Sequence, residues 1–469
     1  MAATARAAFP RRQGGVFRCF RTRAEHATYL EEVKASTMVP PADLRVVEDN
    51  EAAVPFLFAV DPLASRLIIR KTASDRPPGT AAASMVEATY PISSDEQLRH
   101  SVSDFGKWAS FRLGKFFEAV DALTADVAYA HTDGQAKGLA LVTASHAYSR
   151  KLEGTHIDKD VTYRVYITKT GSTSMEIRTD SFQFDHGEPT LINYCITTMV
   201  AVDRKTMRPV PGAVPRLGAP EPEDAERFEM RGILAGTHTN LRRHRAAHTM
   251  RLRDRISHPP QPEEMVALHD LQREALKARE TGHRRVKPIK DVTYRASFVV
   301  FPEHRNVQGT LFGGFVVGQA FNLAYYTARF FARGDWVVPL GLDDATFDSP
   351  VGVGDCVTFT ARLVHKTRET CRVNVTIEIR DPGQDVHIAS TRTNRCVFVF
   401  AARCQAILVP QTYSETLMHI DAARASRNTG PSDVWAARLN PRLPQPEDPP
   451  EEPWRGRGAS PPEAKSSET

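Results

Sequence analysis

The chain has 469 residues, 41% of them hydrophobic and 25% charged, and a net charge of +5. That length allows two or three domains with a sizeable core, and the composition is ordinary for a globular protein. The charge excess sits in residues 1–24, which hold six Arg and no acid, so the rest sums to about −1 (five minus six); a general nucleic-acid binder, with its strong basic footprint, is excluded.

Residues 1–24, "MAATARAAFPRRQGGVFRCFRTRA", read as an organelle transit peptide: Arg-rich, acid-free, and without the apolar stretch of a secretory signal. The shortage of Ser ranks a mitochondrial matrix destination ahead of a plastid, and a disordered tail is the alternative. Residues 25–83 show short apolar runs without a sustained period and are an N-terminal extension. From 84 to 203 the pattern is ordered. "SMVEATYPI" reads as a strand, and Phe116, Phe117, Val120, Leu123 and Val127 recur at helical spacing within 111–131. Strand-like runs then lead up to "NYCITTMVAVD". Residues 204–290 begin with a Pro-rich loop and continue as a charged, partly helical linker or surface excursion.

The first order then returns in 291–404: a strand at "DVTYRASFVVFP", the apolar run "LFGGFVVGQAFNLAYYTARFF", and further strands. "VTYRVYITK" at 161 and "VTFTARLVH" at 357 share a register 196 residues apart, and Gly114 and Gly314 lie 200 apart. Two landmarks with nearly one offset mean a tandem domain repeat. Residues 405–427 form a C-terminal helical segment, and the Pro- and Glu-rich 428–469 cannot bury enough apolar surface to order itself.

The apolar run at 311–331 is just long enough to span a bilayer. Its three Gly, one Gln and one Asn, and the charges Arg112, Lys115, Glu118, Asp121 and Asp126 on its repeat partner, argue instead for a helix buried in protein. The six Cys (Cys19, Cys195, Cys356, Cys371, Cys396, Cys404) form no C-x-x-C pair and read as core thiols. No zinc pattern, Walker A or G-x-S-x-G motif is present.

A strand, a buried helix and four or five antiparallel strands, occurring twice, resemble an α+β fold of tandem hotdog domains. Several strings carry a closer likeness: N-x-x-G-x-x-F-G-G-F from Asn306 to Phe315, "LDDATFDSPVGVGD", "FRLGKFFEAVDAL", "KTGSTSMEI" and "LVPQTYSETLMHID". Over roughly residues 84 to 425 the chain resembles the double-hotdog acyl-CoA thioesterases of the brain acyl-CoA hydrolase-like group, which includes the mitochondrial acyl-coenzyme A thioesterase 9 type. The resemblance implies hydrolysis of acyl-CoA to a free fatty acid and coenzyme A, with no cofactor or metal. It also implies a homo-oligomer, a trimer of double hotdogs.

Thioester hydrolysis needs an activated water or carboxylate nucleophile, and donors for the developing oxyanion. A helix start supplies free N–H groups, so Gly313 and Gly314 read either as oxyanion donors or as tight helix packing, with Gly114 as their counterpart. By the resemblance, a loop Asn or Asp eight residues before the second Gly orients the carbonyl or the water, and an acid seven residues after the second Gly, on the central helix of the partner domain, is base or nucleophile. The second repeat keeps the loop amide, Asn306, but has Phe321 at the acid position; the first has Gly106 in the loop but keeps Asp121. Asn306 and Asp121 would therefore complete one site shared between the domains. Glu118 is the rival acid, and Asp343 and Asp344 are turn-closing residues near the site. Asn322 is a hydrogen-bonding vestige, and His146 a satisfied strand residue. Asp126 and His131 match a hydratase spacing in the wrong part of the helix. Arg242, Arg243, Arg245, Arg251, Arg253 and Arg255 form a solvated face or meet coenzyme A phosphates. The alternatives in function are a hydratase or dehydratase, and a non-catalytic acyl-CoA-binding scaffold.

Overall fold

The computed structural model describes residue 29 and residues 31–428 except 73–78, 104–111, 133–137, 152–154, 249–258, 283, 307–308, 334–336, 348, 368, 381, 384–391 and 403–404. The expected transit peptide and C-terminal tail lie outside the described residues, as do Gly106 and the side chains of the linker arginines 242–255.

Residues 25–83, which showed no period, still contribute regular structure. They supply β1 (Arg45–Val46) and β2 (Ile68–Lys71), with α1 (Pro55–Val60) between them. The first repeat consists of β3 (Val86–Tyr90), the long helix α2 (Leu113–Thr132), and β4 (Leu139–Lys151), β5 (Val161–Thr170), β6 (Ser174–Asp185) and β7 (Glu188–Asp203). The intervening segment holds α3 (Ala225–His248), α4 (Pro262–Thr281) and the short β8 (Val286–Pro288). The second repeat is β9 (Thr293–Val299), α5 (Gly313–Ala332), β10 (Val337–Thr346), β11 (Cys356–Lys366), β12 (Thr370–Arg380) and β13 (Arg392–Ala402). β14 (Ile407–Val409) pairs in parallel with β8, and α6 (Tyr413–Asn428) closes the described chain.

One twelve-stranded sheet runs β1-β2-β3-β5-β6-β7-β4-β10-β13-β12-β11-β9. Each half wraps its own long helix, which is the tandem hotdog architecture. The seam between repeats is the antiparallel pair β4–β10, with Gly341 opposite Arg150 and Ala345 opposite His146. β2 extends the sheet beyond β3, Ile68 pairing with Thr89.

The two central helices form because their apolar positions recur every three to four residues. Phe117, Val120, Leu123 and Val127 of α2 are fully buried, each worth roughly 1.5–3 kcal/mol against exposure. No described helix is long and apolar enough to cross a membrane. α2 and α5 pack on each other antiparallel: Gly114 faces Gly318, while Glu118 and Asp121 face Gly314 and Gly313. A Cβ on Gly114 would lie 3.4 Å from the Gly318 carbonyl oxygen, and one on Gly318 would lie 3.4 Å from that of Gly114.

The outer face of the first repeat corrects an expectation. Residues 204–290 read as a surface excursion, yet Arg231, Leu234, Ala235 and His238 of α3 are buried. α3 and residues 31–39 cover β5 and β6. Arg178 donates from Nε to Asp180 (2.8 Å), from Nη1 to the Ser36 hydroxyl (2.7 Å) and from Nη2 to the Val33 carbonyl (2.9 Å). Arg231 binds Asp224, and the Tyr166 hydroxyl donates to Asp180. Burial without a partner would make each of these charges costly, so the pairs fix how the cover sits.

Candidate active site

Where α2 meets the first turn of α5, the Asp121 carboxylate is held from two sides. Its Oδ2 accepts the Gly314 N–H at 2.7 Å, and its Oδ1 accepts the Thr143 hydroxyl at 2.6 Å. The residue is 4% exposed. An N-terminal helix turn has unsatisfied N–H groups and the positive end of the helix dipole, so a carboxylate belongs there. The acid from one repeat thus caps the helix of the other.

This geometry requires both glycines. A Cβ on Gly314 would come within 2.8 Å of the Glu118 Cα and 2.9 Å of the Phe117 carbonyl oxygen. A Cβ on Gly313 would stand 2.9 Å from Asp121 Oδ2. The Gly314 N–H, expected as a donor to a ligand carbonyl or as a packing feature, is engaged by Asp121. The Gly313 N–H donates to no described residue.

Asn306 is half-buried in the loop before α5. Its Oδ1 accepts the Thr310 N–H at 3.1 Å, and its Nδ2 donates to the Thr310 hydroxyl at 3.0 Å. Its backbone N–H donates to the Thr310 carbonyl at 2.7 Å. These bonds tie Asn306 into its own turn. The turn is pinned to the 351–355 loop by Leu311 N–H on the Val351 carbonyl (2.8 Å), while Gly352 N–H binds Asp355 (2.8 Å). The 351–355 part of the "LDDATFDSPVGVGD" string therefore supports the Asn306 loop.

The rivals are occupied elsewhere. Glu118 is ion-paired with Lys115 on its own helix. Asp343 is buried and paired with Arg372 of β12, not merely closing a turn. Asp126 accepts the Phe56 and Leu57 N–H groups at 3.0 and 3.3 Å, capping α1. Burial is the main cause that pushes its carboxyl up to about 7, against the pull of those two N–H groups and of Lys71. His131 Nε2 lies 3.2 Å from the Pro215 carbonyl.

Two residues of β4 had no place in the sequence-based site. Thr143 binds Asp121 directly. His146 is fully buried, with Nδ1 at 2.9 Å from the Thr197 hydroxyl and Nε2 at 3.6 Å from Asp121 Oδ1. It read as a satisfied strand residue, but its Nε2 has no hydrogen-bond partner among the described residues. In a regular strand, residues three apart face opposite sides. The pairing of β4 with β7 shifts register between Thr143 and Ser145, and the bulge turns both side chains toward α2.

At the related position of the other repeat stands Phe321, among Tyr325, Phe398 and Phe400 with ring centroids 5.8, 5.7 and 6.1 Å away. Its Cδ1 lies 3.4 Å from where a Gly114 Cβ would be. An aromatic plug therefore fills the second helix junction. Among the described residues, no group of three His, Cys, Asp or Glu is placed to hold a metal.

No protein-family model matches the chain. Among curated proteins, it is 25% identical over 370 residues to mitochondrial acyl-coenzyme A thioesterase 9 of Homo sapiens, covering 76% of this chain and 80% of that one. It is 29% identical over 350 residues to mitochondrial acyl-coenzyme A thioesterase 4 of Humulus lupulus, covering 70% and 61%. It is 28% identical over 350 residues to chloroplastic acyl-coenzyme A thioesterase 2 of the same plant, covering 70% and 74%.

Proposed function

We propose that the chain is a double-hotdog acyl-CoA thioesterase, as its similarity to such proteins supports, and that it hydrolyses fatty acyl-CoA at one site built across its two repeats. The observation that carries the reading is the bond from the Gly314 N–H of one repeat to the Asp121 carboxylate of the other.

In this reading Asp121 is the general base. Each of its oxygens already holds one donor, which orders the carboxylate and weakens it as a nucleophile, while a remaining lone pair can hold water. The water oxygen adds to the thioester carbonyl carbon as its proton passes to Asp121. The Gly313 N–H, at the positive end of α5, is the backbone donor for the oxyanion; one such donor is typically worth about 3 kcal/mol. The tetrahedral adduct then expels coenzyme A as its thiolate, which takes the proton back from Asp121. The products are the fatty acid and free coenzyme A, and Asp121 is regenerated. Asn306, in its braced loop, orients the carbonyl or the water.

The test is thiol release from acyl-CoAs of graded chain length, for the chain lacking residues 1–24 and for its Asp121→Asn and Asn306→Ala variants. Release by the parent and its loss in both variants supports the shared site. A folded parent that binds acyl-CoA without releasing thiol overturns it in favour of a scaffold. The Arg-rich leader and the mitochondrial names of relatives support a mitochondrial address. Import of a reporter fused to residues 1–30 into mitochondria rather than plastids tests that reading.

A further inference from the structure

Buried polar atoms are paired in almost all native structures, and each exception calls for a cause. His146 Nε2 is such an exception, and it points at the group on which the proposed reaction depends.

The ring is enclosed on several sides. Its faces and edges meet Phe117 of α2 and Phe347 just after β10, both with ring centroids 5.9 Å away. The titratable groups near it are Asp121 on α2 and Cys195 on β7, whose thiol is pushed up to about 12, chiefly by burial. Thr197 of β7 meets Nδ1. A bare Nε2 lone pair facing a carboxylate oxygen at 3.6 Å in an apolar surround would be repulsive. The arrangement that avoids this has a proton on Nε2, directed at Asp121 Oδ1, with Nδ1 held by the Thr197 hydroxyl. The separation exceeds a hydrogen bond, and catalytic hydrogen bonds in empty sites are often long, closing when substrate binds.

We propose that His146 is a positioning residue for Asp121: an imidazole carrying a proton on Nε2, oriented by Thr197, that closes onto Oδ1 during turnover and holds the carboxylate for water activation. It works beside Thr143, which holds the same oxygen. The inference rests on the reading of Asp121 as the catalytic base.

The substitutions are His146→Gln, whose amide NH2 can stand where the Nε2–H stood, and His146→Leu, which has no donor. Removing a donor from a carboxylate raises the pH at which it ionises. In His146→Leu, kcat is expected to fall about tenfold with KM unchanged, and the acid limb of the rate–pH profile to move up by about one unit. His146→Gln is expected to restore much of both. A lowered melting temperature with an unmoved acid limb and an unchanged kcat overturns the proposal.

An independent arm uses the parent protein with 15N-labelled histidine, His146 being assigned by its absence in His146→Gln. A proton on Nε2 is expected, its Nε2–H signal shifting in Asp121→Asn. A ring protonated on Nδ1 alone overturns the proposal even if His146→Leu fails to fold. The arms separate two failures: a parent inactive on every acyl-CoA overturns the thioesterase reading, whereas the tautomer result judges the His146–Asp121 contact itself.

Discussion

Asp121 and Phe321 occupy the same position of the two central helices, 200 residues apart, and each lies against the opening of the other helix. Asp121 takes the Gly314 N–H; Phe321 packs on Gly114. One junction is thus polar and cross-linked, and the other is sealed with aromatic carbon.

Asp121→Asn should cut thiol release by about 10²–10⁴-fold, the usual contribution of a positioned base. The amide oxygen can still accept one of the two bonds, so the melting temperature should move little. Steady-state rates beside thermal melts check both halves of this expectation.

Phe321→Asp should not create a second site. The new carboxylate would be buried among Tyr325, Phe398 and Phe400, with no loop amide at Gly106 to work with. The expected outcome is a loss of about 3–5 kcal/mol in urea unfolding and no gain in kcat.

Gly314→Ala should separate the two helices. Its methyl would meet α2 backbone at 2.8–2.9 Å, which cannot yield locally, and overpacking of this kind costs about 1–3 kcal/mol. Gly318→Ala is the control: its nearest obstacle is the Glu118 Oε1 at 3.0 Å, the end of a flexible side chain. Only the first should lose activity along with stability.

How much of this was legible in the sequence depends on the range of the interaction. Helical spacing and the 200-residue offset are local or periodic, so both long helices and the duplication could be read directly. Asp121 emerged by counting from Gly114 at the spacing that the family resemblance implies. Thr143 and His146 did not, because the β4 bulge that aims them is a pairing irregularity with β7 and leaves no mark in the alternation. Arg178 and Asp180 stand in a polar stretch with Thr179 and Ser181, as solvent-facing residues do, yet both are buried. Their cover comes from residues more than 40 positions away on either side, in segments with weak apolar patterns of their own.

The Asp126 carboxyl, pushed up to about 7 by burial, sets a pH dependence. Between 3.8 and about 7 the folded chain keeps a proton that the unfolded chain has shed. Its contribution is therefore fully present below pH 3.8 and is lost as pH rises through about 7. The difference in unfolding free energy between parent and Asp126→Asn should change by up to about 4 kcal/mol across that window and flatten above it. Denaturant titrations at matched pH values measure it.

Asp180→Asn should strand the Arg178 guanidinium among buried groups and cost about 3–5 kcal/mol. The segment tied to Arg178 through Ser36 and Val33 should become the first site of limited proteolysis.

The seam between the halves bears on how the molecule melts. β4 and β10 share ladder bonds, and the α2 and α5 backbones approach closely at Gly114, Gly314 and Gly318. Neither half can open without baring a raw strand edge and a close-packed helix flank. Heating should therefore give one calorimetric transition whose van 't Hoff enthalpy matches the whole chain, and a gene cut between the repeats should yield two insoluble fragments rather than two domains.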